Sequence, residues 1–259
     1  MSMELIIQNI PLFMIVFIRF SAFMGMVPFF KNRNFTMTLK ISFAFLIAVL
    51  VFPSLDVSAW IIPQDMLSFM ILIGGELLVG FLMGLVMLII IFTLELVGHL
   101  VGFQMAFSMA RAVDSTTDTQ TNVIGVILIW VGTMILLSMG GDHYLLYSLR
   151  NSFLVIPPGH IVVTRDLINE LSKMTINSFV MGFKMASPAI IVLISIDITL
   201  GIIGKTASKM QIFFVGLPLK IALGLFMVTL VLGLVQVIWS VRIENLPETF
   251  NNLFKMMRI

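Results

Sequence analysis

Long apolar runs constrain this chain more than any other feature. Six stretches, 10–30, 39–55, 67–94, 119–141, 174–204 and 212–241, approach the length a helix needs to cross a bilayer. That length is about 20 residues for a hydrocarbon core about 30 Å thick. The fourth run carries no charge between Asp118 and Asp142, and the second is short and meets Pro53. Hydrophobic residues make up 59% of the 259 positions and charged residues 11%, against about 25% charged in an ordinary soluble domain. The pattern predicts an all-α, membrane-associated protein of helical hairpins, with about six long apolar helices. A shorter amphipathic helix is expected at 143–156, ended by Pro157-Pro158-Gly159.

Several function classes fall away. The 15 bases and 13 acids are too thinly spread to form a nucleic-acid footprint, so no nucleic-acid partner is expected. With no cysteine there are no disulfides and no thiolate metal sites. His99, His143 and His160 stand too far apart for the His-Glu-x-x-His zinc pattern, and no Gly-x-Ser-x-Gly elbow occurs. Gly201 and Gly204 before Lys205-Thr206 enclose two residues where a phosphate-binding loop has four. Met139 precedes Gly140-Gly141-Asp142 where the intramembrane aspartyl pattern needs glycine. No catalytic residue, metal ligand or cofactor is assigned, and the chain is not expected to be an enzyme. Residues 1–8 contain Glu4 and no base, so the first run is expected to be a retained helix, not a cleaved signal.

Charge asymmetry orients the runs. The connection 31–40 has Lys31, Arg33 and Lys40 without an acid, whereas 54–65 has Asp56 and Asp65 without a base. The excess of bases places the first connection in the cytoplasm, and with an even number of spans both termini lie on the opposite side. The turn 204–211, with Lys205 and Lys209, then returns to the cytoplasm; Arg150, Arg165 and Lys173 run against the rule.

Six ionisable residues interrupt the apolar stretches: Arg19, Glu76, Glu95, Lys184, Asp197 and Lys220. Each would cost roughly 2.5–3.5 kcal/mol at a bilayer centre, so they are expected to be buried in protein or paired, three bases against three acids. No proline occurs in 66–110, which could form one helix roughly 65 Å long, about twice a bilayer core. Along it, Gly80 and Gly84 share a face with Glu76, and Gly98, Gly102, Ala106 and Ala110 recur at i+4. Such a ridge of small residues lets another helix approach closely, within the chain or at a seam between subunits. A polar interruption at 108–122 follows Met105, Phe107 and Met109, flexible and apolar side chains suited to an irregular surface.

In order along the chain stand Arg19, Pro28-Phe29, Glu76-x-x-x-Gly80-x-x-x-Gly84, Glu95-Leu96-Val97-Gly98-His99-Leu100-Val101-Gly102-Phe103-Gln104-Met105-Ala106 and Asp114. Gly141-Asp142-His143, Pro157, Gly201-x-x-Gly204-Lys205, Gln211-Ile212-Phe213 and Gly216-Leu217-Pro218-Leu219-Lys220 follow. This succession resembles the FliR family of flagellar type III export over nearly the whole chain. It departs from that family at Ser115, where a proline is usual, and at Lys209-Met210 before the glutamine. Gly102-Phe103-Gln104-Met105-Ala106 is similar to the flagellar branch and not to the related virulence secretion subunits.

The resemblance implies a subunit of an export gate assembled with FliP-like and FliQ-like chains in the bacterial inner membrane, at the flagellar basal body. Unfolded flagellar proteins would pass through it, and no cofactor is implied. Residues 1–172 would be a FliP-like part with a plug loop near 105–122, for which Met105, Phe107, Met109, Arg111 and Asp114 are the candidates. Residues 173–259 would be a FliQ-like hairpin whose turn, with Lys205, Lys209 and Gln211, meets a FlhB-like switch subunit. The alternatives are the equivalent virulence-system subunit and a small-solute transporter; inverted repeats would mark the latter, and none is evident.

Overall fold

The computed structural model describes residues 9–27, 36–58, 60, 62–105, 123–206 and 212–258. Among them are eight α-helices: α1 (Ile10–Met26), α2 (Met37–Val51), α3 (Met66–Gln104), α4 (Val123–Ser138), α5 (Gly141–Val155), α6 (Arg165–Thr206), α7 (Ile212–Glu244) and α8 (Leu246–Met257). A single 3-10 turn, Phe52–Ser54, follows α2. Among the described residues the sole strand-like pairing is an isolated antiparallel bridge between Ile161 and Arg258.

Local chemistry sets the helix ends. Thr36 caps α2 through the Leu39 N–H, Asp65 Oδ2 accepts from the Ser68 N–H at 2.8 Å ahead of α3, and Thr164 Oγ1 accepts from the Leu167 N–H at 3.2 Å ahead of α6. Each satisfies one of the donors a helix start leaves orphaned. The Ser68 hydrogen bonds hold the Asp65 carboxyl below its ordinary pKa. Gly140, at φ 71°, takes the left-handed conformation between α4 and α5, and Gly159, at φ 81°, completes a turn in which the His160 N–H reaches the Pro157 carbonyl. Proline followed by a positive-φ glycine is the type II turn chemistry.

Among the described residues, four helical segments are long and apolar enough to cross a membrane: Met37–Ser54, α3, α6 and Gly216–Glu244 of α7. A fifth span exists if α4 and α5 are counted as one. Six long spans were expected. Within the described residues the first run is α1, of 17 residues, and the fourth is α4, of 16, up to the Gly140 turn; positions 28–30 and 119–122 of these runs lie outside the described residues. The proline-free stretch is one helix of 39 residues, about 58 Å at 1.5 Å per residue, and α6 has 42.

The chain packs into two compact units. The first comprises Met1–Ile89, Gly140–Met174 and Glu244–Ile259. In it α1 packs on α2 through edge-to-face contacts of Phe13 and Phe17 with Phe45, while α8 packs on α5. Leu246, Phe250, Leu253, Phe254 and Met257 make one buried stripe along α8, opposite exposed Glu248 and Lys255. The α8 helix went unnoticed in the sequence because it lies beyond the last long apolar run.

The second unit comprises Ile90–Met139 and Thr175–Ile243. Leu94, Val97, Leu128, Ala189, Val235 and Trp239 are among its buried side chains. The units interleave along the chain. Both α3 and α6 supply residues to each unit, so compactness follows the long helices and not chain order.

Gly80 lies where a methyl group would strike the Arg19 carbonyl and, at 2.8 Å, the Ala22 Cβ. At Gly84 a methyl group would strike the Met26 Cβ, fixed to the α1 backbone, and lie 3.1 Å from the Phe23 carbonyl, whereas Gly74 faces open space. Alanine at these sites should therefore rank in thermal stability in detergent. Gly80→Ala and Gly84→Ala each lose about 1–3 kcal/mol by overpacking, and Gly74→Ala gains up to about 1 kcal/mol from helix propensity. Equal midpoints for Gly80→Ala and Gly74→Ala would contradict the close crossing of α1 and α3.

Candidate functional site

In the first unit, a guanidinium without access to water sits at the junction of three helices. Arg19 on α1 is wholly buried and Glu76 on α3 is 1% exposed, with Arg19 Nε donating to Glu76 Oε2 at 2.7 Å. Arg19 Nη1 donates to Ser152 Oγ at 3.0 Å and Nη2 to the Ile156 carbonyl at 3.1 Å. The Phe153 ring lies under the guanidinium, 3.8 Å from centroid to Cζ. Arginine keeps its charge in proteins, so burial is tolerable only with such a set of acceptors and a π face. Three turns of small or acidic residues on one face of α3, Glu76, Gly80 and Gly84, admit α1 closely enough for the pair to form.

The second unit is held by small residues. An added methyl at Gly98 of α3 would collide with the Gly125 backbone of α4, and at Gly224 of α7 with the Met105 side chain. Gly132 of α4 faces Leu94 and Trp239, and its carbonyl accepts from Trp239 Nε1 at 2.8 Å. A methyl added at Gly182 of α6 would lie 3.1 Å from the Thr93 carbonyl and 2.9 Å from Leu96 Cδ2. Where α6 and α7 run as a hairpin, Lys220 Nζ reaches Asp197 Oδ1 at 2.6 Å. This tight packing is one-sided: 67% of the most apolar window of α3 is buried, against 17% in α6 and 28% in α7.

Of the six charges expected to be buried or paired, Arg19 and Glu76 are both buried and paired, and Lys220 pairs with Asp197. Lys184 and Asp197 lie on exposed faces, Glu95 is partly exposed beside His99 at 3.9 Å, and Lys220 is mostly covered. The hairpin helices are little covered by their own chain, which leaves Lys184 and Asp197 outside its core. Gly80, Gly84, Gly98 and Gly102 are all buried as packing residues. The Gly98 step closes on α4 of the same chain, so at this position the ridge is not a seam between subunits. Met105 is fully buried on Gly224. Ala106, Phe107, Met109, Ala110, Arg111 and Asp114 lie outside the described residues, as do Lys209 and Gln211; Lys205 is exposed near the end of α6. Reading the sequence missed Phe153, Ser152, Gly125, Gly132 and Trp239. The glycines in the charge-free fourth run were the one available signal.

Removing one member of the Arg19 pair strands the other in a dry site. Arg19→Met and Glu76→Leu should each cost about 3–5 kcal/mol, while the double variant should lose less than either, because no orphaned charge remains. Thermal denaturation in detergent measures the cycle; strictly additive losses would mean that the two side chains do not depend on each other.

The chain matches the model of a family described as bacterial export proteins, family 1, over residues 10–246. It is 30% identical over 260 residues to the flagellar biosynthetic protein FliR of Bacillus subtilis, covering 99% of this chain and 100% of that one. To the FliR of Caulobacter vibrioides it is 23% identical over 236 residues, 91% of this chain and 94% of the relative. A shorter match, 23% over 104 residues and 40% of each chain, joins it to the secretion system apparatus protein SsaT of Salmonella typhimurium. A helical membrane protein with no assigned catalytic group, matched end to end by flagellar relatives, belongs to the bacterial export proteins, family 1, the family of the type III export-gate component.

Proposed function

We propose that this chain is the FliR-type subunit of a flagellar type III export gate. It assembles with FliP-like and FliQ-like chains in the bacterial inner membrane at the base of the flagellum, and unfolded flagellar proteins cross through the assembly. The observation that carries this reading is the end-to-end likeness to the flagellar protein of Bacillus subtilis; the virulence relative is matched over less than half its length. The scarcely covered apolar faces of α6 and α7 support it, since a subunit of a larger helical assembly leaves such faces for its neighbours. On the same reading, residues 1–172 act as the FliP-like part and 173–259 as the FliQ-like hairpin. Lys205, Lys209 and Gln211 in the turn meet a FlhB-like switch subunit.

The segment from Met105 through Phe107, Met109, Arg111 and Asp114 acts as the channel plug. Such a seal has to exclude hydrated ions while idle and part for a polypeptide, which suits many weak, pliant contacts better than a rigid ion pair. Met105, packed on Gly224, serves as the fixed root of the segment.

Co-expression tests the assembly. The chain should aggregate when made alone and purify as a defined complex with FliP-like and FliQ-like chains from the same genome; a monodisperse monomer that captures neither would sink the assignment. Planar-bilayer conductance tests the plug. A Phe107→Ser/Met109→Ser complex should form normally and leak ions, and an ion-tight one would place the seal in another subunit. Met105→Ala, by contrast, should lower the yield of complex through a lost core contact worth about 2–5 kcal/mol.

A further inference from the structure

The α6–α7 hairpin holds a groove with two bases and no acid. Asn177, Met181 and Lys184 of α6 and Leu234, Ile238 and Arg242 of α7 line about 480 Å³ of space. Among the described residues the Lys184 ammonium has no ion-pair or hydrogen-bond partner, and Arg242 reaches one acceptor, Ser178 Oγ, at 3.2 Å from Nη1. No acid occurs between Thr175 and Ile196 of α6, or between Lys220 and Arg242 of α7. Glu244 follows Arg242 by two positions, a spacing at which helical side chains do not face each other. The hairpin therefore supplies no counter-charge to its own groove.

The two bases stand at different levels. Arg242 lies beside Ser178, and Lys184 is six residue steps further along α6, about 9 Å at 1.5 Å per residue. Met181 and Ile238 form the apolar floor between them, and Phe183 and Val237 are exposed nearby. Any surface that covers these apolar residues also strips water from both bases. A cover without acids would strand two desolvated charges, which strongly disfavours it. An extended peptide would leave backbone N–H and C=O groups unpaired on the apolar floor, whereas a helix satisfies its own. Side chains seven positions apart on a helix share a face and lie about 10.5 Å apart along the axis, which matches the separation of the bases. A single small anion would meet one base and leave the other bare.

We propose that the groove receives a helix from a neighbouring chain of the assembly, carrying two carboxylates seven positions apart that meet Lys184 and Arg242. An apolar side chain between those carboxylates lies on Met181 and Ile238. The inference rests on the export-gate reading for the presence of neighbours, and adds the chemistry by which one of them is held.

In the test, the complex in which the full chain purifies is treated with a carbodiimide, which joins amines to carboxylates in direct contact, and the products are mapped by mass spectrometry. Lys184 should be joined to an aspartate or glutamate in a helix of another chain, and a second acid should stand seven positions from it. Lys184→Glu should weaken retention of that chain about tenfold or more, since like charges would then face each other. Lysine in place of the cross-linked acid should restore it. Lys184 is exposed and outside the core, so the variant folds, and rescue by the partner's reversal separates a lost contact from a folding defect. A Lys184→Glu complex as well retained as the parent, with Lys184 in no cross-link to another chain, overturns the groove proposal and leaves the export-gate assignment standing. So does a phospholipid that the parent complex retains and Lys184→Gln loses, since lipid then fills the groove. A parent chain that captures no neighbour overturns both.

Discussion

An arginine that cannot shed its charge has to carry its own solvent into the protein, and the first unit is arranged around that requirement. Arg19 finds a carboxylate on α3, a hydroxyl and a ring on α5, and a backbone carbonyl just beyond α5. Well-packed apolar side chains could fill the same volume at similar or better stability, because desolvating two charges offsets most of their attraction. What they could not do is fix register. Sliding α1 along α3 by one turn, about 5.4 Å, would carry the guanidinium out of reach of Oε2 and bring it opposite apolar side chains. The close approach that Gly80 permits and the pair that Arg19 demands are two expressions of one constraint.

The second unit meets a different need with different means. Inside it, glycines on α3, α4 and α6 bring backbones close together, the economical way to join helices that gain nothing from exchanging lipid for apolar side chains. Its hairpin remains open on the outside, with Phe179, Phe183, Ile191 and Ile198 of α6 exposed. A chain so well packed on one side and so bare on the other is suited to membership of a complex, in agreement with its family.

Much of this was legible in the sequence, and what escaped has a physical reason. Apolar run length found the long helices because bilayer thickness sets a length scale that composition cannot mimic. Arg19 and Glu76 stood out because charges in apolar runs are rare, and Gly80 and Gly84 because small residues at i+4 share a face. Which charges turn inward was not legible. Both α3 and α7 are apolar around nearly their whole circumference, so periodicity gives no inward direction for Glu95 or Lys220. Ser152 and Phe153 lie more than 130 positions from Arg19, in a segment with nothing to mark them as its partners. The candidate plug was placed by resemblance and by its polar composition, since local chemistry alone does not distinguish a plug from a connection.

The position of α8 also orders the birth of the molecule. Phe250, Phe254 and Met257 close the first unit, and the chain around them is tied back to it by the Thr164 hydroxyl on the Met256 carbonyl and by the Val162 N–H on the Met257 carbonyl. These residues are synthesised after every helix of the second unit. The ribosome therefore delivers α4, α6 and α7 to the membrane while the unit begun by α1 still lacks one of its walls, and loop closure across some 90 residues comes last. A nascent chain of this design commits its spans to the bilayer before its earliest helices can finish folding, so insertion precedes completion of the core.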